Sequence, residues 1–189
     1  MKKLVTSLVL SLSMITGAQA AKVSGVEIPD MLKADSTELK LNGAGVRDKW
    51  FIDIYVGGLY LPKASQDAKS IISAQEPQAI KLHMVSGLID SEKMTNATIE
   101  GFEKSTGGNM APIQKQIDAF INVFKEEMNE GDVYDIVYVP EKGVEVYKNG
   151  ELKDTIDGGM EFKKALFGIW LSDEPAHEGL KESMLGLED

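Results

Sequence analysis

The sequence predicts an α+β fold: an antiparallel sheet with its helices gathered on one face. Two observations carry this. The hydrophobic period is 2 at both ends of the strand-rich regions and 3.6 between them, and the apparent elements run strands, two helices, hairpins, then helices, without the alternation a parallel sheet requires. A doubly wound nucleotide-binding fold is excluded by the same order.

From the N-terminal side, residues 23–28 and 37–41 have the composition of short strands, and Asn42-Gly43-Ala44-Gly45 has that of a turn whose backbone needs glycine. Residues 49–61 form the strongest strand pattern, and 79–86 (AIKLHMVS) another. In DSEKMTNATIEGFEK, Asp90 or Ser91 is placed to cap a helix, with Glu92 in the first turn where the dipole favours an acid. A second helix is predicted over APIQKQIDAFINVFKEEM, where Pro112 suits the first turn. Ile113, Ile117, Phe120, Ile121, Phe124 and Met128 there form one apolar stripe of core type. Beyond Gly131 the period returns to 2: DVYDIVYVP, GVEVYKNG and ELKDTID are hairpin strands, the last turn marked by Asn149-Gly150. From about Gly159 two further helices are predicted, separated by Ser172-Asp173-Glu174-Pro175.

Residues 1–20 carry Lys2-Lys3, an apolar stretch from Leu4 to Ile15 and Ala18-Gln19-Ala20. This is the pattern of a secretory signal cleaved after Ala20, too short and too rich in serine to span a bilayer. The expected mature unit is therefore one domain over 21–189, located in the periplasm. The chain holds 20 basic and 30 acidic residues, and loss of Lys2 and Lys3 with the leader takes its net charge from −10 to −12. A surface of that sign repels nucleic acid and anionic lipid headgroups alike. With no cysteine, disulfide and thiolate chemistry are absent.

Familiar catalytic and metal-binding motifs are missing. His83 and His177 are far apart and have no metal-ligand spacing, and neither a GxSxG elbow nor a P-loop occurs. Asp132 and Asp135 fall on opposite faces of a strand, which does not make a glycosidase pair. No cofactor is expected. The notable segment is LNGAGVRDKWFIDIYVGGLY, residues 41–60. If 47–55 is one continuous strand, Arg47, Phe51, Asp53 and Tyr55 share a face, while Trp50, Ile52, Ile54 and Val56 face the core. Arg47 and Tyr55 could then hold a carboxylate beside an apolar body in contact with Phe51. The competing pattern is an edge-exposed Arg47 paired with Asp48 or Asp53.

The run LNGAGVRDKWFIDIYVGGLYL resembles the signature of the chalcone isomerase-like superfamily, as do DSEKMTNA at 90–97 and FKKALFGIWLSDEPAHEGLKESMLG near the C-terminus. The similarity spans nearly all of residues 22–186. It implies an open-faced β-sandwich, a large antiparallel sheet backed by helices with a ligand cleft between. It also implies that Arg47 matches the arginine that stabilises an enolate in the plant enzymes. Of their helix set only Lys93 survives: Tyr55, Asp90 and Ala97 stand where a threonine, a tyrosine and an asparagine would be. The fatty-acid-binding branch instead holds its ligand carboxylate with an arginine and a tyrosine in the context Tyr-x-x-Gly-x-Tyr, which YVGGLY (Tyr55 to Tyr60) matches.

The expectation is thus a non-catalytic binder of a small amphipathic carboxylate, with Arg47, Tyr55 and Phe51 at the ligand and Lys93 at the cleft mouth. Two alternatives stand beside it. One is an isomerase using Arg47 and Lys93 on an enone substrate; the other is an interaction module whose cleft is plugged by its own side chains. Asp90 is expected to cap its helix rather than face the ligand.

Overall fold

A computed structural model describes residues 21–187; the expected leader, residues 1–20, lies outside the described residues. A small hairpin, β1 (Ala21–Val23) and β2 (Val26–Ile28), precedes the main sheet. That sheet holds seven strands: β3 (Met31–Ala34), β4 (Thr37–Lys49), β5 (Ile52–Leu61), β6 (Gln78–Met84), β7 (Val133–Val139), β8 (Gly143–Lys148) and β9 (Glu151–Ile156). Spatial order follows chain order, and every pairing is antiparallel. The helices are α1 (Ala68–Ser73), α2 (Ser91–Ser105), α3 (Gln114–Val123), α4 (Gly159–Leu171) and α5 (Glu178–Leu185), with a 3-10 turn at Ala111–Ile113 before α3. The protein is an α+β, open-faced sandwich, a curled sheet backed by helices.

The main core lies between sheet and helices. Tyr55, Leu82, Tyr134 and Ile136 from the sheet meet Phe102, Phe120, Phe162 and Phe167 from the helices, all buried. Alternation sends Val56, Tyr60, Ala79 and Val137 to the other face, where Ile28 and Leu39 cover them. Tyr60 is anchored there: its hydroxyl donates to the Pro29 carbonyl at 2.8 Å.

Several boundaries differ from the sequence-based expectation. Residues 23–28 are not one strand, because Ser24 and Gly25 turn with φ of 46° and 81°. Residues 42–45 are not a turn; they continue β4, with an irregularity between Leu41 and Gly43 that leaves Asn42 unpaired. The small residues serve a close approach instead. A Cβ on Gly43 would lie 2.1 Å from the Ser183 carbonyl oxygen, and one on Gly45 2.3 Å from Ser183 Oγ. Helix α5 therefore lies directly on the backbone of β4. Asn42 fixes it there: Nδ2 donates to Met184 O at 2.8 Å and to Ser65 O at 2.9 Å, and Oδ1 accepts from the Ser65 N–H. The second predicted helix ends at Val123, although Phe124 and Met128 remain buried as its stripe requires.

Lys163 of α4 is wholly buried. Its ammonium donates to the carbonyls of Ile71, Ile72 and Ala74 at 2.7, 2.9 and 3.1 Å, closing the C-terminal end of α1. The rings of Phe167 and Tyr138 lie 4.9 and 5.5 Å from it.

Candidate functional site

Arg47 and Tyr55 do share a face, but not as residues of one strand. The chain reverses at Trp50-Phe51 between Lys49 and Ile52, and Arg47 stands opposite Tyr55 as a cross-strand partner. Its guanidinium carbon is 5.6 Å from the centre of the Tyr55 ring. Between Asp48/Asp53 and Arg47/Tyr55 the register shifts, leaving Ile54 as an extra residue, and this bulge turns Ile54 toward the helix layer. Asp53 is opposite Asp48 rather than beside Tyr55.

The two aspartates offered by sequence as partners for Arg47 are engaged elsewhere. Asp53 accepts from Ser24 Oγ, and Asp48 lies 3.0 Å from His177 Nε2. The other ring nitrogen of His177 accepts the Leu180 N–H at 3.1 Å and caps α5, so this histidine is fully committed to structure. Among the described residues no carboxylate comes within ion-pair reach of Arg47, which is half-buried. The charge of Arg47 acts on Glu100 of α2 only from beyond ion-pair distance, and Glu100 is itself paired with Lys104, so the guanidinium still has donors to offer an anion.

Two spaces meet at Arg47. On the inner side, a void of about 10 Å3 is bounded by Arg47, Tyr55, Thr98, Phe124, Ile169 and Trp170; it holds about one water. The deep hollow expected between sheet and helices is therefore filled by packed side chains. Tyr55 is buried beside it, and its oxygen accepts the Trp170 Nε1–H at 2.9 Å while its own proton remains to be donated.

On the outer side lies an open cleft of about 470 Å3 between the β4–β5 hairpin, α2 and the loop before it. From α2 it takes Lys93, Asn96, Ala97 and Glu100, which recur at i, i+3, i+4 and i+7 and so form one stripe. Ala97 leaves room where a larger residue would close the space. Apolar walls come from Trp50, Ile52, Ile54, Leu88 and Ile89.

Phe51 is not in this cleft: it occupies the hairpin turn and is fully exposed. Trp50 and Ile52, expected in the core, are exposed at 81% and 41% and stand at the cleft rim. Both corrections have one cause, the two-residue turn, which resets the alternation that a continuous strand would have kept. Lys93 lines the cleft, yet its Nζ is held by the Leu88 carbonyl and by Asp90, each at 2.9 Å. Asp90 caps α2 by accepting the Lys93 N–H at 2.8 Å, and that bond, with the Lys93 ammonium, keeps its carboxyl below the usual range. Asp90→Ala is expected to lower the urea midpoint, because the Lys93 N–H loses its cap. It should also free the Lys93 side chain from the helix start. Sequence alone could not supply Trp170, which comes from 115 positions beyond Tyr55.

The sequence profile of the chalcone isomerase-like family matches residues 20–186. No curated protein sequence matches the chain. Among solved structures, that of a fatty-acid binding protein from Arabidopsis thaliana superposes with a TM-score of 0.66 at 16% identity, covering 85% of this chain and 92% of the other. That likeness concerns the fold.

Proposed function

The chain belongs to the chalcone isomerase-like family, and from that premise we propose that it is a non-catalytic binder of a small amphipathic carboxylate such as a fatty acid, acting in the periplasm once the leader is removed. The carboxylate sits on Arg47, and the apolar body lies in the outer cleft against Trp50, Ile52, Ile54 and Leu88. One observation carries this: a half-buried guanidinium with no carboxylate in ion-pair reach among the described residues, lining a mainly apolar cleft whose one lining acid, Glu100, is paired with Lys104. The cleft volume of about 470 Å3 falls within the range of small-ligand sites. Tyr55 lies behind Arg47 on the small inner void, so its free hydroxyl proton reaches a bound carboxylate only through the single water that void holds. The fatty-acid-binding protein of like fold is consistent with such a ligand.

Catalysis of enone cyclisation is less well supported, because Lys93 and Asp90 are spent on each other and on the start of α2. Ala97 presents only a methyl group to the cleft. Calorimetric titration with palmitate tests the binding. Arg47→Ala should weaken it about 10- to 100-fold, the worth of a charge-assisted pair of 1.5 to 3 kcal/mol. Tyr55→Phe should weaken it only a few-fold. Affinity unchanged in Arg47→Ala, or acceleration of hydroxychalcone cyclisation that this variant abolishes, would overturn the reading.

A further inference from the structure

The turn that joins β4 to β5 is made of the wrong residues for folding alone. Two-residue hairpin turns with both φ positive favour Asn-Gly, because bulky side chains are strained in that region. Here the φ values are 57° at Trp50 and 66° at Phe51. Neither side chain recovers that strain by packing: Trp50 is 81% exposed and Phe51 fully so. Leu88, on the loop before α2, is 60% exposed and shares the cleft mouth with Trp50 and Ile52. Four large apolar side chains thus crowd one end of an otherwise acidic molecule, around the mainly apolar cleft beside Arg47.

Charge at this end is balanced: Asp48 and Asp53, held by His177 and Ser24, flank Arg47 and Lys49 at the turn, while Asp90 and Glu100 are each paired with a lysine, Lys93 and Lys104. Arg47 and Lys49, which lead up to the turn on the cleft side, have no ion-pair partner among the described residues. We infer that the Trp50-Phe51 tip, with Leu88, docks the cleft mouth onto the surface of a lipid bilayer. Phe51 enters the acyl boundary, Trp50 lies at headgroup level with its indole N–H toward the polar layer, and Lys49 meets lipid phosphate. A narrow tip of projecting side chains fits a soft interface, whereas a folded protein partner would need a broad complementary patch of about 800 Å2. Docked this way, the cleft opens toward the membrane, and an amphiphile could pass between bilayer and Arg47 without crossing water.

The chain has two tryptophans, and Trp170 is buried at 5% exposure, so a change in emission on docking reports Trp50. Vesicles of phosphatidylcholine with a minority of phosphatidylglycerol, added without any fatty acid, should shift the emission to shorter wavelength. They should also sediment the protein. Trp50→Asn with Phe51→Gly, the pair the turn prefers, should raise the melting temperature and reduce vesicle partition at least 10-fold; Leu88→Ser should reduce it a few-fold. Partition of the double variant equal to wild type, or no emission shift with vesicles, overturns the inference. So does a shift that follows protein concentration in the absence of lipid, which would mean pairing of two copies through the tip. Because no fatty acid is present, failure here leaves the carboxylate site untouched, and loss of palmitate binding in Arg47→Ala leaves vesicle docking untouched.

Discussion

Gly43→Ala is expected to lower the stability of the protein by about 3 kcal/mol or more. The added methyl would stand 2.1 Å from the Ser183 carbonyl oxygen and 2.9 Å from that of Met184. Both are backbone atoms of α5, so no rotamer change relieves the contact, and the helix must rise from the sheet. Lifting it breaks the bond from Asn42 to Met184 O and uncovers Leu180, Met184 and Leu185, which are all buried. Thermal melting and hydrogen exchange in 178–185 would register the loss. Gly87→Ala is the matched control: nothing lies within 4 Å of the added carbon and its φ is ordinary, so its effect should stay within about 0.5 kcal/mol. Equal effects at the two positions would refute the close-approach explanation of the glycine run.

Lys163→Met should cost a similar amount, about 3 kcal/mol, by a different route. Methionine fills nearly the same volume but leaves the carbonyls of Ile71, Ile72 and Ala74 facing an apolar end. The substitution also removes a pH dependence whose sign is fixed. Burial, the largest influence, pulls the lysine down from its ordinary 10.5 to about 7. Between these values the unfolded chain binds the proton more fully than the folded one, so stability rises with pH from about 7 and is flat below it. The three carbonyls favour the ammonium and oppose burial, so the rise stays below the limiting slope of about 1.4 kcal/mol per pH unit. In urea titrations the gap between wild type and Lys163→Met should widen from pH 7 to pH 9. A constant gap would mean that the ammonium stays charged in the folded protein throughout.

The helices and the C-terminal hairpins were legible because each rests on a local cue that the tertiary structure does not contradict. The apolar stripe from Ile113 to Met128, the Asp90 cap and Asn149-Gly150 all act where sequence places them. The errors cluster where one local cue has two physical meanings. Glycine at 43 and 45 signals a turn or a close approach with equal strength, and the helix that decides between them arrives from residue 178 onward. Trp50-Phe51 reads as strand because aromatic residues favour pleated surface, and nothing local reveals that the chain reverses there.

The pairing of Arg47 with Tyr55 was legible, though through the wrong geometry; Phe51 was lost with it. Whether the space beside them is open or plugged depends on volumes brought in by Phe120, Ile169 and Trp170, which no pattern near residue 47 encodes.

The seating of α5 on β4 also bears on how the chain assembles. In the main sheet each strand pairs with its neighbour in sequence, even β6 with β7 across the helical segment 85–132. The partner of β4's glycine-paved stretch is the exception, because it emerges last. Until residues 178–185 settle there, Asn42, Gly43 and Gly45 offer bare backbone and Gly57 an uncovered neighbour, a sticky seam on a nascent chain. Completion of folding is thereby timed by the far end of the polypeptide.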